Sequence, residues 1–155
     1  MKVCIQRVER ARVTVDGIEK GAIEKGLAIL LGIQTGDGIP EADWLAKKCA
    51  AIRIFEDEAG KLNLSVADVG GKVLVVTNFT LCGSCVKGRR PSFDGAERPE
   101  KARPLAERFV ETLRGEGIGV ETGEFGADMK FELVNDGPVT VLIDTADAGN
   151  SIKRQ

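Results

Sequence analysis

The chain has 155 residues, 43% hydrophobic and 30% charged, a composition typical of one globular domain with its own core. Its formal net charge of −2 excludes a general electrostatic attraction to nucleic acid or membrane, so any RNA contact must come from a local basic patch. Histidine is absent, which excludes Ser-His-Asp and Cys-His catalysis and any metal site that needs a histidine.

The first third of the chain predicts strands followed by a helix. Residues 3–8 and 11–15 alternate as two strands, and Asp16-Gly17 after them is a hairpin-turn sequence. The apolar run 26–33 predicts a strand that is buried on both faces. Residues 40–53 begin with a proline and carry apolar side chains at helical spacing, which predicts the first helix. The charged, alternating start predicts no signal peptide, and no apolar run reaches the ~20 residues of a membrane span.

The middle of the chain contains the most apolar strand pattern and an aperiodic segment. A strand is predicted to begin at 53–55, with a turn at 57–61, and 72–81 is the strongest strand pattern in the chain. Residues 82–99 are rich in Gly, Pro, Ser and Arg and predict a long loop, a length that usually carries function in a compact domain. Residues 98–115 predict the second helix, ended by glycine.

The last third predicts strands and a short tail. Strands are predicted at 120–125, 129–134 and 139–143. The polar residues 145–155 predict a frayed tail that follows a domain at 1–144. Strands outnumber helices and no nucleotide-binding glycine motif opens either helix, so the fold class is α+β in a single domain.

Polar groups at the end of the strongest strand are the first candidate site. Thr77, Asn78 and Thr80 flank Phe79 and offer two hydroxyls and an amide to hold an ester or its oxyanion. The alternative is that these residues only cap and turn the strand.

A basic segment follows in the predicted loop. It contains Lys87, Arg89 and Arg90, with Arg98, Lys101 and Arg103 further on. Phosphate contact is the functional interpretation, and a solvated charged face is the alternative.

The Cys82-x-x-Cys85 pair lacks the ligands that zinc needs, because the remaining cysteines are distant and there is no histidine. Buried or surface thiols in a reducing cytoplasm are therefore expected, and no metal or other cofactor is predicted.

Two further segments have both a structural and a functional interpretation. Phe125 and Met129 are either core residues or a platform on which a base stacks. Gly137-Pro138 interrupts two strand-like runs and is either an ordinary turn or a rigid corner that offers backbone groups to a ligand.

Taken together, these segments resemble the D-aminoacyl-tRNA deacylase family over about residues 1–144. The resemblance rests on order and spacing, and its segments are IQRV at 5–8, VTV at 13–15, RIF at 53–55, VLVV at 73–76, FTL at 79–81, RPSF at 90–93, GxFxADM at 123–129 and NDGPVT at 135–140.

The resemblance implies a homodimer of a compact, β-barrel-like mixed sheet with two main helices. It implies hydrolysis of the ester of D-aminoacyl-tRNA, and of glycyl-tRNA mischarged on tRNA(Ala), in the cytoplasm. By resemblance, Gly137 and Pro138 enter the partner's active site as a Gly-cisPro filter for chirality. The 2′-hydroxyl of the terminal ribose assists the attack, without metal or membrane.

The same resemblance assigns the other site residues. Catalysis falls to Thr77, Asn78, Phe79 and Thr80, and Arg7 supports the active-site loops. The terminal adenosine is held by Phe79, Ala102, Phe125 and Met129. The tRNA backbone is expected to contact Lys87, Arg89 and Arg90.

This chain departs from the family at one point, because Thr77-Asn78 stands where Ser-Gln is usual. Thr77 keeps the hydroxyl group and adds a methyl group. Asn78 keeps the amide group on a stem that is shorter by one methylene. The departure leaves two alternatives open: a tRNA- or aminoacyl-adenosine-binding relative without hydrolysis, and a deacylase for a mischarged L-aminoacyl-tRNA.

Overall fold

A computed structural model describes residues 1–152, so the end of the predicted tail, 153–155, lies outside the described residues. The strands are β1 Lys2–Val15, β2 Ile18–Ile23, β3 Gly26–Gly32, β4 Phe55–Glu56, β5 Leu62–Leu64, β6 Lys72–Thr77, β7 Gly119–Thr122 and β8 Lys130–Asp144. The α-helices are α1 Ile39–Ala51 and α2 Pro99–Gly115, and two 3-10 helices cover Phe79–Cys82 and Thr145–Ser151.

The main sheet is mixed and curls upon itself. Its order is β2-β1-β3-β6-β7 with β8 on the other edge of β1, and β3, β6 and β7 run parallel while β1 pairs antiparallel with β2, β3 and β8. The curl brings β2 onto β7: a Cβ on Gly21 would lie 2.8 Å from the Thr122 carbonyl oxygen. Only glycine allows this approach, and the predicted α+β, barrel-like single domain is confirmed.

Alternation within the central strands builds two cores. In β3, Leu27, Ile29 and Leu31 pack toward α1 and α2, whereas Ala28 and Leu30 face the interior of the curled sheet. In β6, Val73 and Val75 face the helices, whereas Leu74 and Val76 face the interior of the curled sheet. Both faces of these strands are covered, which explains their almost continuous apolar sequence.

The two predicted helices are confirmed with small shifts in their ends. Helix α1 begins behind Gly38, whose backbone N–H donates to Glu41 Oε2 at 2.9 Å, and Pro40 lies in its first turn. Helix α2 begins with Pro99 and buries Phe109 and Leu113 against the sheet. Together the helices cover the side of the sheet opposite its curled interior.

Three predictions about strands are wrong in detail. Residues 2–15 form one long strand with a bulge at Glu9, because Val8 and Arg10 pair with successive residues of β8 and Glu9 has no partner there. Strand β6 ends at Thr77 instead of 81, since the chain then turns into a 3-10 helix. The predicted pair of strands 129–134 and 139–143 is one strand, β8, with a bulge in its middle.

The predicted frayed tail is also corrected for its first part. Residues Thr145–Ser151 form a 3-10 helix that Asp144 caps by accepting the Ala146 N–H at 3.0 Å. Thr145 is buried and its backbone N–H donates to the Met1 carbonyl at 2.8 Å. The polar composition predicted a tail, but a cap and an anchor to the first residue order the segment.

Candidate active site

A cavity of about 640 Å³ opens where β3 and β6 end and α2 begins. It brings together six of the residues predicted from the sequence, namely Thr77, Asn78, Phe79, Ala102, Phe125 and Met129. Most of the remaining wall is apolar, including Leu30, Leu31, Val76 and Phe131. A concave, largely apolar site with a few polar groups at one end is the usual form of a small-molecule or nucleoside site.

The polar end of the cavity is the turn that follows β6. The Asn78 backbone N–H donates to the Leu31 carbonyl at 2.8 Å, which fixes the turn to β3. Asn78 Oδ1 accepts the Thr80 backbone N–H at 3.1 Å and also the Thr80 hydroxyl. A backbone N–H only donates, so the carboxamide oxygen must face Thr80, and Asn78 Nδ2 is left without an acceptor among the described residues.

This arrangement decides what Thr80 can do. Its hydroxyl proton is committed to an amide oxygen, which is not a base, and the chain contains no histidine. A threonine nucleophile needs a neighbouring group that removes its proton. The two Thr80 contacts fix the orientation of the Asn78 carboxamide, and they leave its Nδ2 hydrogens free to donate to a ligand in the cavity.

Aromatic side chains form the other end. Phe79 is 59% exposed, and its ring meets Phe93 edge to face with 5.2 Å between centroids. Phe125 carries the guanidinium of Arg103 over its ring, 4.7 Å from the centroid. Phe79 thus presents an exposed aromatic face, whereas Phe125 and Met129 are half-buried against the core and also line the cavity.

Glu97 was not predicted as a site residue, yet its carboxylate is the one acidic group among the described residues that line this cavity. Its backbone N–H donates to the Ile33 carbonyl at 3.0 Å, a contact between distant segments that no local pattern signals. The Arg98 backbone N–H donates to the Glu97 carboxylate at 2.9 Å and lowers the pKa of that carboxyl below its usual range. Glu97 is therefore ionised at neutral pH.

Gly137 and Pro138 lie on an exposed bulge of β8. Gln6 pairs with Thr140 and Val8 with Asn135, so residues 136–139 lie opposite Arg7 alone. The Gly137-Pro138 peptide bond is cis, and Gly137 has a φ of +132°. Neither residue is among those that line the cavity of the same chain.

Asn135, which was not predicted as a site residue, closes this bulge. Its Oδ1 accepts the Val139 N–H at 2.8 Å, and its Nδ2 lies 3.2 Å from the Val139 carbonyl. The same Nδ2 donates to Gln6 Oε1 at 2.8 Å. Asparagine ahead of a turn commonly makes such local bonds, and this was the available sequence signal.

Arg7 holds the bulge from below. It is only 5% exposed, and its Nε donates to the Asp136 carbonyl at 3.0 Å while Nη1 donates to the Ile54 carbonyl at 2.9 Å. Ion pairs with the carboxylates of Asp136 at 3.3 Å and Glu56 at 3.8 Å offset its charge. The predicted supporting residue thus contacts the Gly-Pro bulge, and it does not line the cavity.

The predicted basic loop is a hairpin arm. Ser84 and Ser92 exchange backbone hydrogen bonds of 2.8 and 2.9 Å, and the residues between them project outward. Lys87, Arg89 and Arg90 are exposed at its tip. None of the three forms an ion pair with a side chain in the described part of the chain.

The cysteines do not form a ligand set in the described residues, where no group of three Cys, Asp or Glu side chains could hold a metal ion. Cys82 is buried against the Ile33 carbonyl, 3.4 Å from Sγ, and burial raises the pKa of its thiol. Cys85 is exposed on the hairpin arm. Within residues 1–152, no helix has the length and hydrophobicity to cross a membrane.

The fold and the cavity define a barrel-like α+β domain with a nucleoside-sized site at the open end of its parallel strands. The family model described as D-Tyr-tRNA(Tyr) deacylase matches residues 4–144, so this chain belongs to that family and the resemblance seen in its sequence is confirmed.

Several proteins are similar to this chain over nearly its whole length. A D-aminoacyl-tRNA deacylase of Geobacter sulfurreducens is 55% identical over 151 residues, covering 97% of this chain and 99% of the relative. One of Koribacter versatilis is 57% identical over 145 residues, covering 94% and 97%. The solved structure of "c-Myc DNA Unwinding Element Binding Protein" is 39% identical with a TM-score of 0.87, covering 93% of this chain and 98% of that one. A probable eukaryotic D-amino acid tRNA deacylase, 17% identical, shares the fold with a TM-score of 0.78, covering 92% and 98%.

Proposed function

We propose that this protein hydrolyses the ester bond of D-aminoacyl-tRNA in the cytoplasm, and that of glycyl-tRNA mischarged on tRNA(Ala), releasing the free amino acid and tRNA. The observation that carries the proposal is the Asn78–Thr80 turn at the polar end of an aromatic-lined cavity, in a chain of this family. The terminal adenine stacks among Phe79, Ala102, Phe125 and Met129, which places the ester at the turn.

The proposed chemistry is attack by water with help from the RNA. Asn78 Nδ2 donates to the ester carbonyl and stabilises the negative charge that develops on its oxygen, with Thr77 at the same strand end. The 2′-hydroxyl of the terminal ribose assists the attack, a role that no histidine in this chain can take. The asparagine replaces the longer glutamine that is usual at this position, and the Thr80 contact holds its shorter stem in place.

Replacing Thr80 by alanine tests this mechanism. We expect Thr80→Ala to keep substantial deacylation, with kcat reduced about tenfold because Asn78 loses one of its two orienting hydrogen bonds. The measurement is single-turnover hydrolysis of D-aminoacyl-tRNA, with Thr80→Ser as the matched control that keeps the contact. Complete loss of turnover with intact folding and tRNA binding would contradict this mechanism.

Chirality selection is assigned to Gly137 and Pro138 of a second copy. The corner is exposed on a strand whose outer edge pairs with no strand of the described chain, and Leu142 on the same strand is 74% exposed. These features favour a homodimer in which the corner of one subunit enters the partner's cavity. A backbone corner excludes an L side chain by geometry, whatever that side chain is.

The direct test compares the two chiral forms of one substrate. We expect hydrolysis of D-aminoacyl-tRNA and glycyl-tRNA, with the L form of the same amino acid left intact. Equal rates for the D and L forms would refute chirality selection. Tight binding of a non-hydrolysable D-aminoacyl-adenosine analogue without turnover would show the binding-only alternative instead.

The hairpin arm is proposed to contact the tRNA backbone. Replacing Arg89 and Arg90 by alanine is expected to weaken tRNA binding and lower the slope of log affinity against log salt by about 1.5, since each phosphate contact contributes about 0.7–0.9. Hydrolysis of a short D-aminoacyl-adenosine should not change. The matched control removes two exposed lysines of α1, Lys47 and Lys48, and should leave the salt slope as it is. An unchanged slope in the arginine variant would show that the arm lies outside the RNA footprint.

A further inference from the structure

A second cavity, of about 440 Å³, continues from the first along helix α2. The two cavities share Thr77 and Phe125, so a ligand that leaves the first past Phe125 enters the second. Four charged residues of one helix face line it, at positions Arg103, Glu107, Glu111 and Arg114. Each of them is about one helical turn from the next, so the four side chains are neighbours along one face of the helix.

Some of these charges are already bound and others are not. Arg114 Nη2 donates to the Val120 carbonyl at 3.0 Å, and Glu124 on the opposite wall pairs with Lys20 at 2.8 Å. No ion pair joins Arg103, Glu107 or Glu111 to any side chain in the described part of the chain. A free guanidinium and free carboxylates therefore face the same cavity.

The balance of charge favours a base over a phosphate group. Since Glu124 is paired with Lys20, the carboxylates of Glu107 and Glu111 face the guanidinium groups of Arg103 and Arg114, and the charges of the wall balance. Such a wall has no excess positive charge to attract a phosphate, but it offers both acceptors and donors to a neutral ring. The Arg103 guanidinium also stacks on Phe125, 4.7 Å from the ring centroid, and gives a flat face beside the adenosine site.

The pattern of donors and acceptors matches one pyrimidine. Cytosine presents an amino donor at N4 beside acceptors at N3 and O2, so a carboxylate such as that of Glu107 accepts from N4 while Arg103 donates to the acceptors. Uracil carries an acceptor at O4, which a carboxylate repels. We propose that this second cavity binds the penultimate nucleotide of the tRNA acceptor strand, and that Arg103 and Glu107 select cytosine there. This inference rests on the proposed function, since it places the terminal adenosine in the first cavity.

The test uses three substrates that carry the same D-amino acid on adenosine, on CpA and on UpA. We expect the full-length wild-type protein to prefer CpA over UpA about tenfold in kcat/KM, the size of one good base contact. Glu107→Gln should bring that ratio close to one, because a carboxamide donates to uracil O4 as readily as it accepts from cytosine N4. Arg103→Ala should remove most of the advantage of CpA over adenosine. Glu100→Gln, an exposed carboxylate of the same helix that lines neither cavity, should keep both ratios.

Binding of CpA and UpA that carry no amino acid is measured alongside by calorimetry, so that the site is tested even without turnover. Equal kcat/KM for all three substrates, or a cytosine preference that survives in both variants, would overturn the inference while leaving the proposed function intact. Failure to hydrolyse any of them would refute the proposed function, and a CpA preference in binding alone would still support the nucleotide site.

Discussion

Gly137→Ala is expected to lower kcat/KM on D-aminoacyl-tRNA about hundredfold, the scale on which small displacements of positioning groups act. Gly137 has a φ of +132°, which L side chains rarely adopt. An added Cβ would lie 2.7 Å from Val139 Cγ2 and 3.1 Å from Arg7 Nη2. The corner and the arginine beneath it must both move, so the variant presents the wrong surface to the partner's cavity.

The fold itself should survive this change, at a cost of about 1–3 kcal/mol for the strained backbone, because the bulge is exposed. Kinetics on D- and L-aminoacyl-tRNA together with urea unfolding separate the two effects. Gly60→Ala is the matched control: that glycine also has a positive φ, +73°, but its Cβ would meet nothing within 4 Å. If Gly137→Ala hydrolyses the D substrate as fast as Gly60→Ala does and also leaves the L substrate intact, the corner has no role in catalysis or selection.

Arg7→Met is expected to destabilise the protein by about 2–4 kcal/mol and to abolish most activity, because two backbone carbonyls lose their donor. Those carbonyls belong to Ile54 and Asp136, at 2.9 and 3.0 Å from the guanidinium. The ion pairs add less, since the partner side chains of Asp136 and Glu56 are 45% and 58% exposed. Methionine fills the space of the stem but leaves the bulge without its support.

The matched control is Arg12→Met on the same strand. Arg12 Nη2 donates to both carboxylate oxygens of Glu132 at 2.9 Å, but the Arg12 side chain is 54% exposed, so its loss should cost under about 1 kcal/mol. Denaturant midpoints of the two variants give the comparison directly. Similar midpoints would mean that the buried guanidinium contributes little to the folded state.

Much of the fold was predictable because it follows from local patterns. The two-faced apolar runs of β3 and β6 and the helical spacing of α1 and α2 each reflect burial against a fixed neighbour. The end of β6 was not predictable from hydrophobicity, since Leu81 continues the apolar run. The Asn78 side chain decides it by accepting the Thr80 N–H, a contact that competes with continuing the strand.

Part of the candidate site was predictable because some of its residues also belong to local sequence patterns. Thr77 to Thr80 and the aromatic residues Phe79 and Phe125 stood out by type and position. Glu97 and Asn135 did not, because their positions depend on long-range contacts, the first with Ile33 and the second with Gln6. The resemblance assigned Arg7 only to the support of active-site loops, and its contact with the bulge around Gly137 was not predicted because it joins residues far apart in the chain.

The contacts that close the bulge around Gly137 all come from a single chain. Asn135 ties the two sides of the bulge together and Arg7 anchors its base, so the corner has its shape before it meets another molecule. Association with a partner or a substrate then loses little conformational entropy in this segment. The corner is preorganised, and its recognition of a ligand is closer to rigid docking than to induced fit.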